Sequence, residues 1–166
     1  MPGATTERSR VLYVEDDDDL WRLVHRRLSP TFSLVRAASD VEACVLLREF
    51  WGELKAVVTD LNLAGSHLSG VDLIRLIRGT LPGDRTPAWA LKVPTSTRLP
   101  IIVTTGSEAH VGAATAAGAT LVLMKPFSFE ALQAPLRAAV GPRPLVTSAL
   151  VRPATSAGNQ ERPAKE

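Results

Sequence analysis

Five consecutive acidic residues, Glu15 to Asp19, follow an apolar segment near the start of the chain. Acidic side chains in the first turn of a helix interact favourably with the helix dipole, which accounts for one or two of them. Five adjacent carboxylates repel one another, so acids that converge at the end of a strand need a bound hard cation as compensation. The acidic run is therefore a candidate metal site.

Three further polar residues suited to phosphate chemistry each lie at the end of an apolar segment. Asp60 follows AVVT, Thr105 ends IIVTT and precedes glycine, and Lys125 follows LVLM and precedes proline. Carboxylates suit Mg²⁺, which prefers octahedral oxygen coordination and retains waters that a phosphoryl oxygen can replace. An ammonium group neutralises negative charge, and a hydroxyl beside glycine offers a hydrogen bond where the backbone N–H can approach closely. The set as a whole is suited to handling a phosphoryl group.

The elements that must position these residues are short apolar strands alternating with helical patterns. Continuously apolar central strands predict a parallel sheet covered by helices on both faces, which is a doubly wound, five-stranded α/β domain. In such sheets the functional crevice lies beyond the carboxyl ends of the strands, where the polar residues stand. The predicted strands are VLYV at 11–14, FSLVRA at 32–37, AVVT at 56–59, IIVTT at 101–105 and LVLM at 121–124.

The segments between the strands have helical spacing. Ser39 and Glu42 form the S-x-x-E pattern of a capping box, which predicts that the second helix begins there. The apolar positions of the first two helices are Leu20, Leu23, Val24 and Leu28 in the first, and Val41, Val45 and Leu46 in the second.

Composition limits the classes of function. The 166 residues are 45% hydrophobic, which is enough for one domain with a real core plus tails. The net charge is only +2, and Lys and Arg are spread along the chain, so no direct contact with nucleic acid is expected. The single cysteine, Cys44, makes no internal disulfide, and the start lacks the apolar core of a secretory signal. Since no apolar run approaches about 18 residues, we expect a cytoplasmic protein without a membrane segment.

The sequence divides into a domain and two tails. We predict a flexible tail over residues 1–8, the folded domain over 9–140, and a disordered tail over 141–166, which is rich in Pro, Ala, Ser and Arg. Within the domain, residues 79–99 hold three prolines and read as an inserted long loop that exposes Trp89.

Over roughly residues 9 to 140 the chain resembles the receiver domains of two-component response regulators, whose fold is flavodoxin-like. The motifs VLYVEDD, VVTDLNL, LPIIVTTG, AAGA and LMKPF follow the order of that family and lie near its spacings. By this resemblance, Asp17 to Asp19 begin the first helix or lie in solvent. The resemblance implies these roles: Glu15 and Asp16 as the acidic pair that binds Mg²⁺, Asp60 as phospho-acceptor and metal ligand, Asn62 as the residue whose backbone carbonyl completes the metal site, Thr105 as the hydroxyl switch, and Lys125 as the lysine before a cis-proline, Pro126.

The resemblance implies a signalling domain rather than an enzyme, limited to Mg²⁺-dependent self-phosphorylation and slow self-dephosphorylation. Asp60 would accept the phosphoryl group from a histidine kinase or a phosphotransfer protein, and Thr105 would then turn inward and bias the fourth helix and fifth strand. Because 141–166 is too short for a second folded domain, we expect a stand-alone regulator. It would signal by binding a downstream protein of unknown identity, and it could form a homodimer.

Two other functions remain open. A haloacid-dehalogenase-like phosphatase also uses an aspartate after a parallel strand, but it normally needs a second aspartate two residues on, where this chain has Asn62. A phosphorylation-independent interaction module is the other: the intact acids, Thr105 and Lys125 count against it, but the lengthened loop after Asp60 keeps it open. The chain departs from the receiver pattern at that loop and elsewhere. The loop from Asp60 to Gly70 is two residues longer than usual, Val122 replaces a common aromatic, and Pro135 interrupts the predicted last helix.

Overall fold

A computed structural model of the chain describes residues 7–141 and 149–152. They form one parallel sheet with helices on both of its faces. The strands are β1 (Arg10–Val14), β2 (Ser33–Ala37), β3 (Leu54–Asp60), β4 (Ile101–Thr105), β5 (Leu121–Met124) and β6 (Ala149–Val151), and the helices are α1 (Asp18–Leu28), α2 (Asp40–Phe50), α3 (Gly70–Arg78), α4 (Val111–Ala117) and α5 (Phe129–Val140).

The sheet has the order β2-β1-β3-β4-β5-β6, and every neighbouring pair is parallel. Successive side chains of a strand point to opposite faces, and on β1 Leu12 and Val14 join one core cluster while Val11 and Tyr13 join the other. The first cluster is completed by α2, α3 and α4, and the second by α1 and α5. The doubly wound α/β prediction is therefore confirmed.

The strand count differs from the prediction, because the sheet has six strands rather than five. The sixth, β6, pairs in parallel with residues Leu121 to Leu123 of β5, and Arg152 just after it forms an ion pair with Glu108. The prediction of disorder over 141–166 is wrong for residues 149–151, since three apolar residues in a polar segment suffice to pair with β5. Residues 142–148 and 153–166 lie outside the described residues, as do 1–6 of the predicted amino-terminal tail.

The insertion over 79–99 packs against the domain instead of forming an exposed arm. It contains two short 3₁₀ helices, and Trp89 in the second is half-buried against the first core cluster. The Trp89 ring lies 6.2 Å from that of His67, edge to face, and Arg48 donates to the Trp89 carbonyl at 2.7 Å. The expected exposure of Trp89 is wrong, because α2 supplies a hydrogen-bond donor and the core supplies apolar surface for the ring.

Arg78 ties the end of the insertion to the end of α4. Its guanidinium donates to the carbonyls of Ser96 at 2.9 Å, Leu99 at 2.8 Å and Gly118 at 3.0 Å. Gly118 has a φ of +109°, and a Cβ there would lie 2.9 Å from Cγ of Arg78, so only glycine fits this helix end. The insertion and α4 are therefore joined through one half-buried side chain.

Helix α5 continues through Pro135 instead of being interrupted there. Leu132 and Leu136 on either side of the proline are buried against the second core cluster, and this packing stabilises the helix across the missing hydrogen-bond donor.

Among the described residues, none of the helices is long and apolar enough to span a membrane.

Candidate functional site

The polar residues at or just after the ends of four parallel strands lie at one edge of the sheet. Backbone hydrogen bonds continue the pairing past the strand ends: the N–H of Glu15 donates to the carbonyl of Ala37 at 2.9 Å, and the N–H of Lys125 donates to that of Thr105 at 2.8 Å. Because all the strands run in one direction, the residues at or just after the ends of β1, β3, β4 and β5 meet at the same edge. The site is thus supported by the backbone of the sheet.

Three carboxylates converge at this edge. Glu15, Asp16 and Asp60 each offer an oxygen, and these oxygens lie within 4.8 Å of one another. Each side chain is held by a backbone N–H, which fixes its orientation. These donors are Asp17 to Glu15 Oε1 at 3.1 Å, Ala64 to Asp16 Oδ2 at 3.0 Å, and Asn62 to Asp60 Oδ1 at 3.1 Å.

Lys125 brings a positive charge to the three carboxylates. Its Nζ lies 2.8 Å from Asp60 Oδ2 and 3.6 Å from Glu15 Oε2, and its peptide bond to Pro126 is cis. Burial lowers the pKa of Lys125, but the hydrogen bond and charge of Asp60 and the charge of Glu15 outweigh that effect, so the pKa is raised overall. Lys125 is therefore a permanent cation in direct contact with Asp60.

The site retains surplus negative charge, because three carboxylates face one ammonium group. The Glu15 side chain is 1% exposed, and its Oε2 has no hydrogen-bond partner among the described residues. Burial raises the pKa of Glu15, and the charges of Asp60 and Asp16 raise it further, against the lowering effects of the Asp17 N–H and Lys125. A buried carboxylate oxygen without a donor, beside two other carboxylates, fits a hard divalent cation with oxygen ligands such as Mg²⁺.

The Thr105 hydroxyl contacts the backbone of Ser107. The side chain is fully buried, and its Oγ1 accepts a hydrogen bond from the N–H of Ser107 at 3.1 Å. The strand pairing sets Thr104 opposite Asp60, so Thr105 lies one residue beyond the partner of Asp60 on the adjacent strand. A rotation of the Thr105 side chain toward Asp60 would therefore break its bond to Ser107.

The lengthened loop between β3 and α3 is anchored from α2. Asp40 is buried, and its Oδ2 accepts hydrogen bonds from the N–H groups of His67 at 2.9 Å and Leu68 at 2.7 Å. Ser66 in turn accepts a hydrogen bond from the N–H of Asp40 at 3.3 Å. The loop is therefore fixed at its far end, while Asn62 at its near end is exposed.

Gly70 supports the site in a way that sequence reasoning missed. A Cβ at this position would lie 2.4 Å from the carbonyl oxygen of Asp60 and 2.5 Å from Cα of Leu61. The absence of a side chain lets α3 begin directly against the end of β3. Ser69 and Asp72 form a capping box at this helix start. That pattern was the sequence signal that could have drawn attention to Gly70. Arg36, at the end of β2, was missed as well, because its contacts to the acidic turn cross between strands.

Comparison with known proteins places the fold. Neither a family model nor a curated protein sequence matches the chain. Among solved structures, the receiver domain protein of Clostridium thermocellum is similar with a TM-score of 0.65 at 20% identity, covering 80% of this chain and 94% of that one. The receiver domain of the Francisella response regulator 1452 has a TM-score of 0.62 at 18% identity, covering 80% and 96%. A candidate response regulator from Chloroflexus aurantiacus has a TM-score of 0.59 at 27% identity, covering 80% and 98%.

These similarities span most of this chain and nearly all of each neighbour. Similarity at 18% and 20% identity carries information about the fold rather than the chemistry. The chain therefore has the receiver-domain fold that its sequence motifs indicated, extended by one parallel strand.

Proposed function

We propose that this chain, which has the receiver-domain fold, accepts a phosphoryl group on Asp60 from a histidine kinase or a phosphotransfer protein. The observation that carries the proposal is the contact of 2.8 Å between Lys125 Nζ and Asp60 Oδ2, beside the carboxylates of Glu15 and Asp16. A nucleophilic carboxylate, a fixed cation and a candidate metal site thus occupy one pocket at the end of the sheet.

In the proposed transfer, a carboxylate oxygen of Asp60 attacks the phosphorus of a phosphohistidine on the partner. The bond between phosphorus and the histidine nitrogen breaks, the nitrogen keeps the electron pair, and an acyl phosphate forms on Asp60. Lys125 already contacts Asp60 and can exchange that contact for a phosphoryl oxygen as charge moves onto it. The N–H of Asn62 holds the other carboxylate oxygen and so orients the nucleophile.

The residues present fit a Mg²⁺ ion. Glu15, Asp16 and Asp60 would hold it through carboxylate oxygens, and the backbone carbonyl of Asn62 is proposed as a further ligand. Bound Mg²⁺ would supply positive charge to the oxygens of the transferring phosphoryl group.

Thr105 is proposed to convert phosphorylation into a structural change. A phosphoryl group on Asp60 offers a strong acceptor, and the Thr105 hydroxyl would leave Ser107 to donate to it. The residues after Ser107 lead directly into α4, so loss of the Ser107 bond would bias the position of that helix. The output of this change is proposed to be the binding of a downstream protein.

The test is incubation of the protein with acetyl phosphate and Mg²⁺, followed by intact-mass analysis and mapping of the modified residue. The proposal expects one phosphoryl group on Asp60, and none in Asp60→Asn or after addition of EDTA. Continuous hydrolysis of the donor would instead indicate a phosphatase, although Asn62 has no acidic proton for such a role. Absence of both modification and hydrolysis would refute the proposal and leave an interaction module.

A phosphotransfer profile then tests the donor. Candidate histidine kinases and phosphotransfer proteins are labelled with phosphate and mixed briefly with the chain or with its Asp60→Asn variant. Label that moves rapidly to the wild-type chain from one donor, and never to the variant, would identify the partner. Label that moves from none of them, while acetyl phosphate modifies Asp60, would argue against phosphohistidine as the donor.

A further inference from the structure

Arg36 holds the backbone of the acidic turn that follows β1. Its side chain reaches across from β2, where Nε donates to the carbonyl of Glu15 at 3.0 Å and Nη2 donates to that of Asp16 at 3.2 Å. Its Nη1 also pairs with Asp18 Oδ1 at 2.7 Å. One guanidinium thus contacts three of the five residues in the acidic run.

The guanidinium is itself held in place. The Arg36 side chain is only 20% exposed, and its Cζ lies 5.7 Å from the centre of the Trp21 ring. Trp21 in turn lies 6.0 Å from the buried ring of Tyr13 on β1. Cation–π contact on one side and hydrogen bonds on the other leave the planar fork little freedom.

We propose that Arg36 is a positioning residue of the divalent-metal site, a role that rests on the proposed function. By fixing both carbonyls, Arg36 turns the side chains of Glu15 and Asp16 toward Asp60. Its polar contacts are to these two carbonyls and to Asp18, so it would act on the metal only through the two acidic ligands. Partners that orient metal ligands typically contribute a factor of roughly 10 to 100 in metal affinity.

The competing explanation is that Arg36 merely neutralises charge in the acidic run. A lysine at position 36 keeps the positive charge but cannot reproduce the rigid fork that contacts two carbonyls at once. Arg22 provides a matched control, because it pairs with Asp19 at 3.0 Å in the same acidic run while its side chain is 74% exposed. Arg22→Met therefore removes a positive charge near the site and leaves the turn intact.

The experiment measures the affinity of the protein for Mn²⁺, which replaces Mg²⁺ as the probe. The electron paramagnetic resonance signal gives the concentration of free Mn²⁺, and Mg²⁺ is added as a competitor. Measurements are made at a temperature where every variant is folded, as shown by thermal unfolding in EDTA. Arg36→Lys is expected to bind Mn²⁺ roughly tenfold more weakly than wild type. Arg22→Met is expected to bind at least as tightly as wild type. If Arg36→Lys does not fold, Arg36→Gln replaces it with the same expected loss.

The outcomes separate this inference from the proposed function. Wild-type affinity in a folded Arg36 variant overturns the positioning role alone. Wild-type protein that binds no Mn²⁺ overturns the metal site of the proposed function and, with it, this inference. A loss in Arg22→Met equal to that in the Arg36 variant assigns the effect to a general disturbance of the acidic run rather than to the Arg36 fork, and likewise overturns the positioning role.

Discussion

Replacement of Glu15 by glutamine should stabilise the metal-free protein. The side chain is buried, and its carboxylate lies within 4.8 Å of two others but 3.6 Å from Lys125. At an effective dielectric constant of about 20, the two repulsions amount to about 7 kcal/mol and the attraction to about 5 kcal/mol, a net repulsion of about 2 kcal/mol. Glutamine keeps the Oε1 that accepts from the N–H of Asp17. We therefore expect the melting temperature in EDTA to rise by roughly 5 to 10 °C.

Mg²⁺ should reverse this order of stability. At a free concentration of about 100 times its dissociation constant, Mg²⁺ would stabilise the folded wild-type protein by about 2.7 kcal/mol. Glu15→Gln loses a ligand and should gain much less. Thermal unfolding of both proteins in EDTA and in Mg²⁺ is the assay, with Glu49→Gln, an exposed acid on α2, as control. A lower melting temperature for Glu15→Gln than for wild type in EDTA would refute the reasoning that the pocket is overloaded with negative charge.

The pH dependence supplies an independent check on Glu15. Because burial raises its pKa in the folded protein, Glu15 favours folding when protonated, and this contribution is lost as pH rises through the raised pKa. Below about pH 4, where Glu15 is protonated in both folded and unfolded chains, wild type and Glu15→Gln should be equally stable in EDTA. The advantage of the variant should then grow with pH. An advantage that is constant with pH would contradict the raised pKa.

Three further substitutions test other parts of the site. Lys125→Met should slow phosphorylation by acetyl phosphate at least about 100-fold, since a charge that contacts Asp60 is lost; an unchanged rate would exclude Lys125 from the transfer. Thr105→Val loses the bond to Ser107, so it should cost about 1 kcal/mol of unfolding free energy. It should still be phosphorylated but show no phosphorylation-dependent change in hydrogen exchange over α4, and a wild-type exchange response would remove Thr105 from the switch. Gly70→Ala forces a contact with the Asp60 carbonyl and should lower both the melting temperature and the phosphorylation rate; wild-type values for both would mean that α3 can shift freely.

The location of the candidate site was predictable, because its polar side chains stand at the ends of apolar segments in the sequence. IIVTT and LVLM coincide with β4 and β5, and a parallel sheet brings the residues after each strand to one edge. Ser39 caps α2 as expected, although the Glu42 carboxylate accepts from the N–H of Ala38 instead of that of Ser39. Local patterns thus specify the strands, the helix starts and the edge at which the candidate site lies.

Helical periodicity was less reliable about which apolar residues are buried. Leu23 on α1 is 43% exposed, and Val41 and Val45 on α2 are 40% and 46% exposed. Helix α2 packs through Ala43, Cys44 and Leu47, so its valines lie to the side of the contact. Spacing identifies a set of apolar positions but not how wide a stripe the neighbouring element covers.

Contacts between distant parts of the chain were beyond sequence reasoning. Arg36 and Glu15 are 21 residues apart, and Arg48 and Trp89 are 41 apart. No local pattern connects such pairs, because they depend on how strands and insertions lie in three dimensions. For the same reason the insertion was expected to be exposed, whereas it packs against α2.

The sixth strand determines how another protein can approach the β5 side of the molecule. In a sheet that ended at β5, the outward N–H and C=O groups of that strand would be open to an incoming extended peptide. Here those groups at Leu121 to Leu123 are already taken by residues 149–151 of the same chain. On this side the open edge of the described sheet is therefore β6, whose three residues, Ala149 to Val151, offer an incoming peptide a shorter template than β5 would. A peptide that pairs directly with β5 would first have to displace β6, which has the advantage of a high local concentration.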